Sequence, residues 1–299
     1  MSFAIQDPGL LGSWLVAGPL SALRAASADR PFRTGLLGRE VALWLSDDGA
    51  VRAECDGAPL FAQGRYGFAW VCPDGRPARE LFAFPEFDEP GRRIIDCGPV
   101  GVATSGLRVV ENFLDMAHFP YVHAHYLGEL PHTEVTPYKV DIDAATDEIW
   151  ATDCRFWQPR SSAAHAEGSD AAYVYRVMQP FCAMLYKSSS RAGERDAIGL
   201  FVQPVDETRV IAHTLLAYFD DTSSDAELIA FQHTIFGQDK PILESHRPQL
   251  LPLEGRLETP TRADMLSVTY RRWLRERGQQ YGALAADRTA ALAATGSAA

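Results

Sequence analysis

The sequence predicts an α+β fold built from antiparallel sheets and a few helices. The first hundred residues alternate short β-prone segments with turn signals, and segments 40–46 and 51–54 flank a hairpin-type turn at 47–49. Segment 65–72 is a further aromatic, β-prone stretch that ends at a Pro-Asp-Gly turn. Three prolines are then expected to interrupt the chain: Pro85, Pro90 and Pro99.

From about residue 105 the pattern predicts a helix, a run of strands and two further helices. Segment 109–117 has helical character and is expected to end near Pro120, because the residue before a proline is disfavoured in the helical conformation. Apolar spacing predicts a helix over 225–237 and an amphipathic helix over 262–277. Polar connections between the strands favour an antiparallel sheet over βαβ units. The predicted strands are 134–141, 148–156, 172–178, 183–187, 198–205 and 209–219.

The composition is that of a globular protein with an acidic surface. The formal net charge of −11 argues against nucleic acid as a partner, because a phosphate backbone attracts a basic surface. No apolar run is long enough to span a membrane, and residues 1–18 lack the features of a secretion signal. Five widely spaced cysteines without a CxxC pair indicate free thiols, so we expect a cytoplasmic protein.

The candidate chemistry lies in the pattern Asn112-x-x-Asp115-x-x-His118-x-x-x-x-His123. On an unbroken helix, histidines five residues apart would lie about 140° apart and would not face one metal ion. Pro120 lies between them, and the break that it introduces can turn both imidazoles to one side. Asp115 is placed to accept a hydrogen bond from a ligand imidazole and to fix its tautomer. A lone His-x4-His pair is commonly two unrelated histidines, but two histidines with a carboxylate are typical of Fe(II) oxygenases.

This pattern resembles the iron-binding motif of the Rieske-type aromatic ring-hydroxylating oxygenases. The resemblance implies that His118 and His123 bind a mononuclear Fe(II), with O2 as co-substrate. It also implies that Asp115 bridges to the redox cluster of a neighbouring subunit. Asn112 and Asp115 are therefore predicted as the catalytic residues beside the iron.

The third ligand implied by the resemblance is an aspartate far downstream, on a helix that follows the sheet. Asp239 is the residue that matches, although it can also be interpreted as a solvated acid at a helix end. Glu244 is the main rival, and it leaves open a different triad that includes His246. The resemblance further implies a helix-grip fold, in which the antiparallel sheet wraps around a long helix.

The first part of the chain departs from the family pattern. Family members hold a [2Fe-2S] cluster with two cysteines and two histidines, in a Cys-x-His and a Cys-x-x-His pair. Neither Cys55 nor Cys72 is followed by such a histidine, and no histidine precedes His118. We therefore predict a vestigial Rieske-like β domain without its cluster loops at 1–104 and a mononuclear iron catalytic domain at 105–299. Two segments resemble the framework strands around the cluster loops: 36–44 and 66–70.

A mononuclear iron without a cluster in the same chain requires electrons from a partner. The resemblance implies a Rieske-containing oxygenase subunit homologue and a Rieske-bearing reductase, in a trimer or a heterohexamer. No Gly-rich phosphate loop occurs in the sequence, so we expect NADH to bind the reductase and to act on this chain only indirectly.

Over most of the chain, the resemblance is closer still to the cluster-less branch of this family that demethylates methylxanthines. It implies oxidative N-demethylation of a small aromatic substrate, 7-methylxanthine, to xanthine and formaldehyde. Three alternatives stay open: an oxygenase for another aromatic compound, a non-catalytic structural subunit that stabilises a Rieske-bearing partner, and a small-molecule binding protein. The segments that carry this resemblance are 111–120, 203–207 and 269–275.

The remaining histidines and strand aromatics have simpler interpretations. His125 and His132 are expected in a loop, and His213 in a strand that faces either the pocket or the core. Several aromatic residues of the predicted strands could line a flat pocket, but strand aromatics are commonly core residues, so none is assigned to a substrate. They are Phe156, Trp157, Tyr173, Tyr175, Tyr186 and Phe201.

Overall fold

Two antiparallel sheets carry most of the regular structure, and helices lie around them. This arrangement confirms the predicted α+β class, with the helices as the minor part. Within the part of the chain that is described, no helix is both long and apolar enough to cross a membrane. The structure is a computed structural model and describes residues 3, 5, 7–160, 168–189, 191, 193–254 and 257–286.

The first sheet is formed by six antiparallel strands. They are β1 (Leu15–Pro19), β2 (Phe32–Leu36), β3 (Arg39–Leu45), β4 (Val51–Cys55), β5 (Ala58–Arg65) and β6 (Phe68–Cys72). Their spatial order is β1-β6-β5-β4-β3-β2. The predicted hairpin between β3 and β4 is confirmed: Gly49 has a φ of 78°, and Asp48 accepts a hydrogen bond of 3.2 Å from the Ala50 amide.

The second sheet contains seven antiparallel strands. They are β7 (Arg93–Val102), β8 (Lys139–Ile142), β9 (Ile149–Gln158), β10 (Ser169–Gln179), β11 (Cys182–Ser188), β12 (Arg195–Pro204) and β13 (Val210–Tyr218). Their order is β7-β13-β12-β11-β10-β9-β8, so six predicted strands are confirmed, although the segment predicted from residue 134 forms a strand only from Lys139. The expectation that Pro99 interrupts the chain was wrong, because β7 is an edge strand and tolerates a proline.

The longest helix covers 21 residues and extends further than its sequence pattern predicts. The predicted end at residue 237 was wrong, because the helix continues through Pro241. A proline removes one hydrogen bond, and Leu243, which is 1% exposed, packs beyond it and holds the last turns in place. The helices are α1 (Pro8–Leu11), α2 (Gly106–Leu114), α3 (Phe119–Val122), α4 (Asp225–Ser245) and α5 (Met265–Glu276).

Helix α4 lies against the second sheet and makes the helix-grip arrangement. It packs on β7 and α2, and it buries Leu228, Phe231 and Leu243. Its first turn carries a capping box, in which the side chain of Ser224 accepts from the Glu227 amide and Glu227 accepts from the Ser224 amide. The predicted last helix is confirmed as a short 3-10 turn followed by α5.

An aromatic cluster joins the two sheets. The Phe68 and Trp70 rings of β6 lie 5.7 Å and 5.2 Å from the Phe201 ring of β12, both edge to face. All three side chains are fully buried. Edge-to-face contact is a favoured geometry for aromatic rings. Through these contacts the first sheet covers one face of the second sheet, and α4 covers the other face.

A buried ion pair ties the segment before β7 to the second sheet. Arg176 donates two hydrogen bonds of 2.8 Å to the Glu148 carboxylate and one of 2.8 Å to the Ala83 carbonyl. Glu148 and Arg176 are only 5% and 6% exposed. Removal of one partner leaves the other charge buried and uncompensated.

We predict that Glu148→Ala lowers the free energy of unfolding by about 3–5 kcal/mol, because Arg176 then stays buried without a counter-charge. Urea unfolding followed by circular dichroism measures this change. The matched control is Asp221→Ala, which breaks the exposed pair with Arg191 and is expected to cost about 1 kcal/mol or less. Equal losses in the two variants would contradict the assignment.

Candidate metal centre

His118 and His123 lie at the two ends of the short helix α3. Helix α2 ends just before Asp115, whose Oδ1 accepts a hydrogen bond of 2.7 Å from the amide two residues further on. Such a bond competes with helical hydrogen bonding. The predicted break at Pro120 was therefore placed too late. Pro120 instead lies in the first turn of α3, where its missing N–H is not needed.

Helices α3 and α4 bring three ligand-type atoms together. His118 Nε2 lies 3.1 Å from His123 Nε2, and Asp239 Oδ1 lies 3.1 Å from His123 Nε2 and 3.5 Å from His118 Nε2. His123 is 1% exposed and Asp239 8% exposed. The structure thus places the three residues named from the sequence in one cluster, while their role as ligands stays a prediction.

The outer ring nitrogens have separate partners that fix the orientation of each imidazole. Asp115 Oδ2 accepts a hydrogen bond of 3.0 Å from His118 Nδ1, and Gln238 Oε1 accepts one of 2.9 Å from His123 Nδ1. A neutral imidazole carries a single N–H. In the neutral form that carries this proton on Nδ1, each ring directs an unprotonated Nε2 toward the centre.

Two imidazole lone pairs and a carboxylate oxygen therefore face one another. Asp239 Oδ1 is shielded from solvent and has no hydrogen-bond donor among the residues described. Burial lowers the pKa of His118, but Asp115 and Asp239 outweigh it and raise that pKa to about 9. Burial raises the pKa of Asp239, but His118 and His123 outweigh it and lower that pKa to about 2. The centre favours positive charge, and two nitrogen donors with one oxygen donor fit an Fe(II) ion.

The rival third ligand, Glu244, lies outside this cluster. Its Oε1 accepts a hydrogen bond of 2.9 Å from the Ala103 amide, and the carboxylate pairs with Lys240. His246 Nδ1 lies 3.2 Å from the Leu243 carbonyl. The structure therefore does not bring Glu244 and His246 together with the two histidines of the cluster.

The other histidines considered from the sequence also lie away from the cluster. His125 is exposed in a loop, and the ring of His132 stacks on that of Trp157 at 4.4 Å. His213 faces the first sheet, where its ring lies 5.3 Å from that of Phe68. Burial lowers the pKa of His213 to about 4, so this residue is a neutral core histidine rather than a pocket residue.

A cavity lies beside the cluster, between the helices and the second sheet. Its internal volume is about 90 Å³, and it opens to solvent at one mouth. Asn112, predicted as catalytic, lies on its wall. The wall is mostly apolar and aromatic, so it suits a flat and largely apolar molecule. Its aromatic members are Phe113, Phe119, Tyr173, Tyr175, Phe231 and Phe236.

Sequence reasoning missed two polar residues of this site. Gln238 hydrogen-bonds His123, which lies 115 residues earlier, so no local pattern could reveal the pair. Lys187 lies on the cavity wall and is 5% exposed. Burial lowers the pKa of Lys187 to about 8, while the nearby Asp196 and Asp220 oppose that shift. Buried and exposed lysines of a strand look alike in a sequence.

Comparison with known proteins gives a family match and close relatives. Residues 102–280, more than half of the chain, match the vanillate O-demethylase oxygenase C-terminal domain. A probable methylxanthine N7-demethylase of Pseudomonas sp. (strain TJI-51) is 48% identical over 283 residues, which cover 94% of this chain and 97% of that protein. The methylxanthine N1-demethylase of Pseudomonas putida is 27% identical over 71% of this chain and 58% of its own length.

Solved structures share the fold. NdmA of Pseudomonas putida CBB5 with caffeine gives a TM-score of 0.74 at 20% identity, over 89% of this chain and 90% of that chain. Dicamba monooxygenase bound to dicamba gives a TM-score of 0.68 at 15% identity, over 90% and 98% of the two chains. From the sequence match and the shared fold, the chain belongs to the Rieske-type non-haem iron oxygenase family.

Proposed function

We propose that this chain is an O2-dependent oxygenase subunit that removes the N-methyl group of a methylxanthine, with 7-methylxanthine as the substrate. The observation that carries the proposal is the set of three inward-facing acceptor atoms beside an aromatic cavity. The 48% identical relative is a probable methylxanthine N7-demethylase, which supports the choice of substrate. Xanthine and formaldehyde are the products.

The reaction inserts one oxygen atom into a C–H bond of the methyl group. The second oxygen atom takes up two electrons and two protons and leaves as water. The resulting N-hydroxymethyl group breaks its N–C bond and releases formaldehyde, and the ring nitrogen recovers a proton. When bound, mononuclear iron supplies the activation of O2 for this reaction.

The residues of the chain would hold the iron and the substrate. His118, His123 and Asp239 are the proposed ligands. Asp115 and Gln238 hold the two imidazoles through their Nδ1 atoms, which is the usual role of partners outside the ligand shell. The cavity wall excludes water and places the methyl group beside the ligands.

We further propose that this chain has no [2Fe-2S] cluster and receives its electrons from a partner. No histidine precedes His118, so histidine ligation in the first sheet is impossible. Burial raises the pKa of Cys72 to about 12, so without a metal this residue is a protonated thiol. The donor would be a Rieske-containing oxygenase homologue or a Rieske-bearing reductase that oxidises NADH.

A surface groove supports the proposed entry of electrons. Asp115, which hydrogen-bonds His118, also lines a groove with Asn112 and Arg271. A Rieske-bearing partner that docks in this groove would be separated from His118 by one carboxylate. Assembly as a trimer or as a heterohexamer with such a homologue is part of the proposal, as is a cytoplasmic setting, which the five free cysteines support.

The proposed domain division assigns the first sheet to a vestigial Rieske-like domain, 1–104, and the second sheet to the catalytic domain, 105–299. Strand β7, Arg93–Val102, hydrogen-bonds to β13. This strand would therefore pass from the first domain into the sheet of the second.

The anaerobically purified chain is expected to bind about one iron per chain without acid-labile sulfide, because the two-histidine carboxylate cluster is the one donor set in the described part of the chain. His118→Ala should abolish iron binding, whereas Glu244→Gln should retain it. Colorimetric assays of iron and sulfide measure both quantities. Sulfide in the wild-type chain, or loss of iron in the Glu244 variant alone, would contradict the assignment.

Gln238→Leu is expected to weaken Fe(II) affinity about 10–100-fold, because the His123 Nδ1 proton loses its acceptor and the ring its fixed orientation. Anaerobic Fe(II) titration measures the affinity. Gln238→Glu keeps an acceptor and should restore most of it. Gln232→Leu, on the same helix but away from both imidazoles, is the matched control and should bind iron as the wild type does. Equal losses at both positions would mean that Gln238 has no specific role.

Formaldehyde release from 7-methylxanthine is expected only when a Rieske-bearing reductase and NADH are added, because the proposed chain has no second redox centre. Asp115→Asn should keep much of its iron and still lose most turnover, since the carboxylate on the proposed route is gone. Formaldehyde and xanthine are quantified beside iron content. NADH-dependent turnover by the chain alone would refute the need for a partner.

A further inference from the structure

Two tyrosines on the cavity wall carry hydroxyls without a hydrogen-bond partner. Tyr173 and Tyr175 occupy alternate positions of β10, and their ring centroids lie 6.1 Å apart. They are 4% and 0% exposed. The Tyr175 hydroxyl is closed to solvent and has no partner among the residues described. No hydrogen bond joins the Tyr173 hydroxyl to another described residue, and burial raises the pKa of this hydroxyl.

Three other buried tyrosines differ from this pair in having a hydrogen-bond acceptor. The hydroxyls of Tyr66, Tyr138 and Tyr270 each donate a hydrogen bond of 2.7 Å to a backbone carbonyl. A buried hydroxyl without a hydrogen bond is unfavourable, because it has lost its contact with water and gained nothing in return. The closed hydroxyl of Tyr175 and the unpaired hydroxyl of Tyr173 line one cavity and therefore point to a ligand that supplies the missing acceptors.

The pair lies next to the metal centre. The Phe119 ring lies 6.5 Å from the ring of Tyr173 and 5.1 Å from that of His118, so one phenyl group separates the tyrosines from the proposed ligands. Lys187 lies directly across the β10–β11 ladder from Tyr173 and also lines the cavity. Burial raises the pKa of both tyrosines, so their hydroxyls stay protonated and act as donors.

We propose that Tyr173 and Tyr175 donate hydrogen bonds to acceptor atoms of the bound substrate and thereby hold its N-methyl group toward the metal centre. The acceptors are the carbonyl oxygens of a planar oxopurine. The inference rests on the proposed function, because the same cavity must hold the N-methyl heterocycle. A hydrocarbon of the same shape would leave the two hydroxyls unpaired and is therefore expected to bind more weakly.

Binding in the absence of turnover tests this inference. Anaerobic calorimetry with the iron-loaded chain compares 7-methylxanthine with 7-methylpurine, which has the same methyl group but no carbonyl oxygens. Tyr173→Phe and Tyr175→Phe remove one hydroxyl each. Tyr281→Phe is the matched control, because its hydroxyl is also buried without a partner but does not line this cavity.

Each variant of the pair is expected to bind 7-methylxanthine about tenfold more weakly, the loss of one hydrogen bond in a buried site. Its preference for 7-methylxanthine over 7-methylpurine should shrink by the same factor, while Tyr281→Phe behaves as the wild type. Thermal unfolding at or above the wild-type temperature is expected for all three, because no hydrogen bond within the chain is lost.

The possible failures are distinguishable. If the wild type binds 7-methylxanthine and both variants bind it equally well with unchanged preference, the tyrosine inference is overturned and the proposed function stands. If the wild type binds no methylxanthine, the proposed substrate is overturned, and the inference that rests on it falls as well.

Discussion

Two imidazole nitrogens and a carboxylate oxygen lie within 3.5 Å of one another at one end of the cavity, and the surrounding contacts hold them there. Asp115 and Gln238 keep the imidazole protons on the outer side of the rings. The loop after α3 packs closely on that helix, since a Cβ on Gly128 would lie 2.5 Å from the Pro120 nitrogen. A cation or a proton between these three atoms stabilises the arrangement. The hydrogen bonds of Asp115 and Gln238 to the two imidazoles therefore support the proposed metal site.

Helix α4 connects the proposed metal site to the cavity. Phe231, Ile235 and Asp239 are spaced four residues apart and therefore lie on one face of the helix. The same face thus supplies two wall residues and one proposed ligand. His233 fixes the helix to β7 through a hydrogen bond of 2.7 Å to the Cys97 carbonyl. A shift of this helix would move Asp239 and the wall residues Phe231 and Ile235 together, so the proposed metal site and the cavity depend on one helix position.

The features that were predicted well from the sequence depend on residues close together in the chain. His118, His123 and Asp115 lie within nine residues, and their full pattern, together with the family resemblance that it carries, predicted one site. Asp239 was found only through the family resemblance, because the pattern predicted that its helix would end at residue 237.

The errors have tertiary causes. The packing of Leu243 carries α4 through a proline, and an edge position lets β7 contain another. Gln238 was missed because its partner is distant in the chain, and no sequence pattern records such a contact.

Strand alternation explains why the sequence could not show which aromatic residues face the cavity and which face the first sheet. On β10 and β11 the odd-numbered Tyr173 and Tyr175 face the cavity, whereas Tyr186 belongs to the cluster that packs against the first sheet. Phe201 on β12 faces the first sheet as well, in contact with Phe68. Successive side chains of a strand point to opposite faces, but only the folded structure shows which face meets which layer.

The same alternation gives the first sheet a packing role on the second sheet. The second sheet is apolar on both faces, and α4 with its neighbouring helices covers only one of them. Phe68 and Trp70 cover the other, and their removal would expose Phe201 and Met184, which are fully buried. Burial of aromatic side chains is a large favourable contribution to folding. The packing role of the first sheet therefore does not depend on a redox cluster, because this sheet covers the strands that carry the cavity wall whatever the source of electrons.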